Sequence, residues 1–216
     1  MKRLTLLLIL VASVGLGCKL LDSIKGGGGA GGGPGAGSSG SDPRADIIAA
    51  SKKFIDLKFF SAKMEGVGQT EIKSQVDYVA PDRFHVKYIG GNAAGMELIM
   101  IGNQSFMKTG SSWSKMPGDG NSSIPTLRDS FTEEGLKTLS DEKFEGTDTL
   151  DGKDAQVYSY KNVTPKGEFP FTSKMWVSKD KGLPMKIYVE YSNGVLKNMT
   201  IRYDTETPVS IEPPIK

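Results

Sequence analysis

The chain has one thiol, Cys18, and one imidazole, His85, and these two residues bound the chemistry open to it. His85 lies on an alternating stretch between Phe84 and Val86, on the face shared with Arg83 and Lys87, and reads as a solvated surface side chain. A nucleophilic triad would need a Ser or Cys and an Asp brought to that ring, and the sequence contains no GxSxG elbow. One His and one Cys cannot fill an ordinary zinc ligand set, and a lone Cys forms no intramolecular disulfide. Glu133-Glu134 and Asp141-Glu142 lack the alternating Asp/Asn ligands and Gly of a calcium loop, and Gly118-Asp119-Gly120-Asn121 reads as a turn. The Gly-rich stretch near the N-terminus lacks the GK[ST] ending of a phosphate-binding loop and does not sit between a strand and a helix. No metal, no cofactor and no enzymatic step is therefore expected.

The position of Cys18 points elsewhere. Lys2 and Arg3 precede an apolar run of 13 residues, Leu4 to Leu16, which ends at Gly17-Cys18. A bilayer-spanning helix needs about 20 apolar residues, so the run matches the core of an export signal. Two readings of Cys18 remain: a signal peptide that happens to contain a Cys, or a site resembling a bacterial lipobox, whose Cys becomes the acylated first residue. The second is favoured because the chain's only Cys stands where the apolar run ends, after a small residue and before a tether. Two or three acyl chains, at about 0.8 kcal/mol per buried methylene, give stable anchoring where one does not. Residues 1–17 are thus expected to be a signal peptide and 18–43 a lipidated Cys with a flexible linker, leaving a folded domain over 44–216. Lys19 follows the Cys, so by analogy with lipoprotein sorting the periplasmic side of the outer membrane is expected where the organism has one.

Removing Lys2 and Arg3 leaves 25 of the 27 basic residues against 25 acidic ones. A neutral chain has no electrostatic footprint for phosphate backbones, so nucleic acid is excluded as a general partner. Gly26 to Ser41 has ten Gly among sixteen residues and neither charge nor a large apolar side chain, which describes a linker.

The 173 residues from Arg44 to Lys216 suffice for one domain with a sizeable core. Asp42-Pro43 reads as an N-cap followed by Pro at the first helical position, and Ile47, Ile48, Ser51, Phe54 and Ile55 share a face, predicting a helix from Pro43 to about Leu57. The period then changes to two through Phe60, Ala62 and Met64, through Ile72 to Tyr78, and through Phe84 to Tyr88. Met96 to Ile101 is apolar on both faces except at Glu97, and with Gln104 to Lys108 it predicts a hairpin at the sheet centre. Ile124 to Leu139 breaks the series with two short helical patches, the second opened by Thr132. Strands resume at Lys143 to Leu150, turn at Asp151-Gly152, and continue through Ala155 to Tyr160, Ser173 to Ser178, Met185 to Tyr191 and Val195 to Tyr203. The fold class expected is α+β, mostly β: a strongly curved antiparallel meander of about ten to eleven strands, an incomplete barrel, with two or three covering helices.

A curled sheet that does not close presents a concave apolar face, which is either a filled core or a groove. Alternation aims Met64, Val76, Tyr78, Phe84, Val86, Ile99, Ile101, Phe106, Met175, Val177, Ile187, Val189, Met199 and Ile201 inward, with Met96/Met100 as the alternative to Ile99/Ile101. Met side chains on or beside the strands suit an adaptable surface as well as an irregular core.

The signal and linker, the leading helix, YVAPDRFHVKY (Tyr78 to Tyr88), MELIMIGNQSFMKTGSSWSKM (Met96 to Met116), WVSKDKGLPMKIYVEY (Trp176 to Tyr191) and PVSIEPP (Pro208 to Pro214) together resemble the LolA/LolB and LppX-like superfamily. These are bacterial envelope carriers of lipids and lipoproteins. The resemblance implies a half-barrel with helices over its mouth and a hydrophobic cavity for acyl chains of lipids or lipoproteins, on a protein held to the membrane by its lipid anchor. An interaction or sensor module with a closed core, meeting another envelope protein, is the second reading.

Overall fold

The computed structural model describes residues 42–117, 128–163, 170–192 and 195–215. Cys18, the 26–41 stretch, the 118–121 turn, Ile124 and the Asn193-Gly194 turn lie outside the described residues.

Helix α1 spans Pro43–Ile55. The Asp42 carboxylate accepts from the Arg44 N–H at 3.0 Å, as the N-cap reading expects, and Pro43 occupies a position that needs no amide donor. Its buried residues Ile47, Ala50, Ser51 and Phe54 follow helical spacing. Ser51 donates to the Ile47 carbonyl at 2.7 Å, which satisfies the one hydroxyl on that stripe.

Eleven strands follow among the described residues: β1 Phe59–Gly68, β2 Ile72–Val79, β3 Arg83–Gly91, β4 Glu97–Ile101, β5 Gln104–Thr109, β6 Ser112–Met116, β7 Ser140–Leu150, β8 Lys153–Val163, β9 Pro170–Ser178, β10 Pro184–Tyr191 and β11 Leu196–Asp204. Between β6 and β7 lie a single 3-10 turn, Asp129–Phe131, and helix α2, Glu133–Leu136, which Thr132 caps through the Gly135 N–H at 3.2 Å. Asp151 and Gly152 both take positive φ, 52° and 76°, as the β7–β8 hairpin turn requires.

All strands join one curved, unclosed antiparallel sheet in the order β6-β5-β4-β3-β2-β1-β11-β10-β9-β8-β7. This corrects the simple meander: the sheet starts in its middle, where β1 pairs with β2 on one side and with β11 on the other. The two chain-order series therefore end on separate edges, β6 and β7. Edge strand β7 carries register breaks and positive φ at Asp141 and Gly146, which interrupt a ladder that could otherwise recruit another strand.

The β4–β5 hairpin lies near the β6 edge and not at the centre. Its two apolar faces have another cause. The segment after β11 lies against the outer face, where Ile211 is buried with Ile99 and Phe106 and packs near Val79, Ile101 and Trp113. Arg83 fixes this segment by donating to the Ile211 carbonyl at 2.6 Å and pairing with Glu212 at 3.3 Å. Ile211→Ala should cost about 2 kcal/mol, at the low end for a buried aliphatic because the cluster is small, and should speed proteolysis of the C-terminal segment. Unchanged chemical unfolding and proteolysis would show that the segment contributes nothing to stability.

Candidate functional site

The inward face can be read row by row across the sheet from the strand register. Next to the helices, one row runs Phe60, Tyr78, Phe84 and Met100. The next runs Tyr203, Ala62, Val76, Val86 and Leu98. Over these rows Phe54 of α1 meets Phe60 at 4.8 Å, Phe131 at 4.5 Å and Tyr203 at 4.8 Å between ring centroids. Tilted and edge-on rings at these separations are favourable arrangements and leave no room for a ligand. The Arg128 guanidinium stacks 4.5 Å from the Tyr78 ring centroid and donates to the Tyr78 hydroxyl and the Ile55 carbonyl, locking the start of the 3-10 turn to this end.

Two further rows lie beyond. Met175, Ile187, Ile201, Met64 and Ser74 stand opposite one another on β9, β10, β11, β1 and β2. Ser173, Val189, Met199, Gly66 and Ile72 form the row after that. Neither row contains a charged residue, and three of the ten residues are Gly or Ser. Exposure rises slightly along β1, Phe60 being 0%, Ala62 1% and Met64 7% exposed, while at the β9 end of the Met64 row Met175 is 1% exposed beside Tyr158, whose hydroxyl donates to Asp46 of α1. Val189, Met199 and Ile201, at 7–8%, share that slight exposure. Half-buried Tyr88, Leu98, Tyr191 and Leu196 pack at the margins.

Among the described residues, two buried side-chain polar atoms make no hydrogen bond, the Tyr203 hydroxyl and Arg128 Nε. Burial raises the Tyr203 phenol well above its ordinary value, with nearby Tyr160 adding to the effect. Burial pushes Tyr160 up to about 12, against a hydrogen bond with Ser173 that lowers it. Both phenols are neutral at physiological pH, so the site adds no charge to its apolar floor.

Of the residues expected to face inward, Met64, Val76, Tyr78, Val86, Met175, Val177, Ile187, Val189, Met199 and Ile201 share the main core cluster, and Phe84 packs against it. Ile99, Ile101 and Phe106 do not. Register pairs Val86 with Leu98 and Phe84 with Met100, so Leu98, Met100 and Met107 face inward while Ile99, Ile101 and Phe106 face out beneath Ile211. The alternative that included Met100 is the one the register supports. Phe60, Ala62 and Tyr203 also belong to the inward face, and the alternation of β1 and β11 carried that signal. His85 faces outward as expected, but it is half-buried, with Nε2 2.9 Å from a Glu97 carboxylate oxygen. A separate cleft of about 750 Å³, between the β7–β8 and β9–β10 turns and the segment after β11, has a mixed lining in which charged residues stand among Leu150, Leu183, Met185 and Tyr203. Its Lys153 and Lys181 both pair with Glu206.

No protein-family model matches the sequence, and a search of curated proteins found no match. Solved structures do. The lipoprotein LppX of Mycobacterium tuberculosis aligns at 12% identity over 79% of this chain and 98% of its own, with a TM-score of 0.59. LprF of Mycobacterium bovis aligns at 12% identity over 81% of this chain and 97% of its own, with a TM-score of 0.62. At that identity the likeness is one of architecture. The chain has the fold of LppX and LprF, the LppX-like part of what the sequence resemblance implied.

Proposed function

We propose that the protein is a membrane-anchored envelope lipoprotein that takes acyl chains of lipids or lipoproteins onto the inner face of its half-barrel and carries out no covalent step. The observation that supports this best is the pair of charge-free inward rows centred on Met64 and Met199, past the aromatic contacts of α1. Burying a methylene there gains about 0.8 kcal/mol, so about ten methylenes, well within one acyl chain, reach the roughly 8 kcal/mol of micromolar affinity without a polar contact. The fold shared with a mycobacterial lipoprotein is consistent with this reading. In the same reading residues 1–17 direct export, Cys18 carries the anchor, 18–43 tether the domain, and 44–216 bind the ligand, on the periplasmic side of an outer membrane where one exists.

Native mass spectrometry of protein extracted gently from membranes tests the reading. Co-purifying lipid mass is expected; an apo mass alone counts against it. The aromatic packing beneath α1 favours the second reading, a closed module that meets another envelope protein, and that outcome would turn attention to it.

Cys18→Ser should move the protein from the detergent phase to the aqueous phase or leave an uncleaved precursor, since acyl chains supply the stable anchoring. Unchanged partitioning, together with an unmodified Cys18 mass in the wild type, would contradict lipidation.

A further inference from the structure

The outer face of the sheet carries an arrangement that apolar binding does not explain. Trp176, Lys186, Arg202, Lys63, Gln75 and Lys87 stand directly opposite one another on six adjacent strands, β9 to β3. Three consecutive members, Lys186, Arg202 and Lys63, are cations. Like charges directly opposed across strands are unfavourable, so neighbouring carboxylates would be expected to intervene. Among the described residues Asp77, Asp204 and Glu65 do stand on the same face in the rows that flank this one, but none of them pairs with a cation of the row. Arg202 reaches Asp151 only at 3.8 Å with both side chains exposed, and Lys186, Lys63 and Lys87 form no ion pair. The next member of the row, Glu97 opposite Lys87, is already engaged by Lys108 at 2.7 Å and His85 at 2.9 Å.

The row is also held in place. Trp176 is buried, donates its indole N–H to Asp148 at 2.8 Å, and lies 4.1 Å from the Lys186 ammonium. Desolvation there, with the repulsion of Arg202 second, lowers the Lys186 pKa from its ordinary value, against the opposing attraction of Asp148 and Asp151.

We propose that this row is a docking strip for an anionic membrane surface, independent of what the concave face binds. Strand spacing of about 4.8 Å sets the charges in a line roughly 20 Å long, the scale of several lipid headgroups. The face is the convex one, Arg202 alone of the row's cations lining the cleft beside the segment after β11, and diffuse attraction to a charged surface needs no enclosing walls. Three of the four cations are Lys, which acts as a point charge, where a site for one particular phosphate would favour the bidentate fork of Arg.

The test uses the chain from residue 18 with Cys18→Ser, so that no acyl anchor contributes, and measures co-sedimentation with vesicles. Phosphatidylglycerol-containing vesicles should bind it, phosphatidylcholine vesicles should not, and added salt should release it. Lys63→Gln with Lys186→Gln should weaken binding about tenfold or more while leaving the melting temperature unchanged or raised. Lys52→Gln with Lys137→Gln, on the helix side, should bind as the parent does. Equal binding by the two double variants, binding to neutral vesicles alone, or no binding at all would overturn the proposal. So would preference for soluble polyglutamate over vesicles, which would indicate an acidic protein partner instead.

Discussion

Phe54→Ala should destabilise the domain by about 3–5 kcal/mol, read as a fall of roughly 6–20 °C in melting temperature for a domain of this size. Phe54 is 0% exposed and its ring meets Phe60, Phe131 and Tyr203 within 5 Å between centroids, so truncation removes several aromatic contacts and leaves a cavity between α1 and the sheet. A helix of 13 residues is marginal alone, so α1 depends on this packing more than on its own propensity. Phe54→Leu, which keeps most of the volume, should cost much less. A loss below about 1 kcal/mol for the Ala variant would mean that α1 is not held where the rings place it.

The features legible in the sequence were those encoded within a few residues. Asp42-Pro43 and Thr132 mark helix starts because a side-chain oxygen must satisfy a nearby amide, and both caps form. Asp151-Gly152 marks a hairpin because few residues take positive φ readily, and both do so here. The pairing of β1 with β11 left no such mark. Two strands some 130 positions apart are joined by no turn, and only their complementary inward rows, Ala62 with Tyr203 and Met64 with Ile201, select the register.

The facing of β4 was hidden for a different reason. Alternation reports a side only when one face is wet, and Ile211 dries the outer face, so Leu98 and Ile99 look alike in sequence. The answer was recoverable one strand earlier: His85 and Arg83 mark the outer face of β3, and pairing carries that parity to Ile99 and Ile101. The outer cation row was equally invisible. Lys63, Lys186 and Arg202 are distant in sequence and share a line only once the register is known.

Gly66→Leu should abolish or weaken binding of a fluorescent acyl probe by well over tenfold while changing stability by less than about 1 kcal/mol. Gly66 is buried on the inward face between Met199 and Ile72, and no left-handed φ demands a glycine there. A Cβ at this position would lie 3.3 Å from a Leu196 methyl and 3.6 Å from the Ile72 Cβ, with Leu196 half-buried and able to give way. Replacing Gly in a strand interior removes a backbone entropy cost, which offsets part of that crowding. If acyl chains lie across this floor, the Leu side chain displaces about three methylenes, and at about 0.8 kcal/mol each the loss is roughly sixty-fold in affinity. A closed core behaves differently: an added side chain overpacks it, at a cost of about 1–3 kcal/mol, and the parent has no probe binding to lose. Probe titration and urea unfolding on the same two proteins therefore separate the readings. Lost binding with stability kept supports the acyl-chain site, and lost stability in a chain whose parent binds no probe leaves the closed interaction module as the better account.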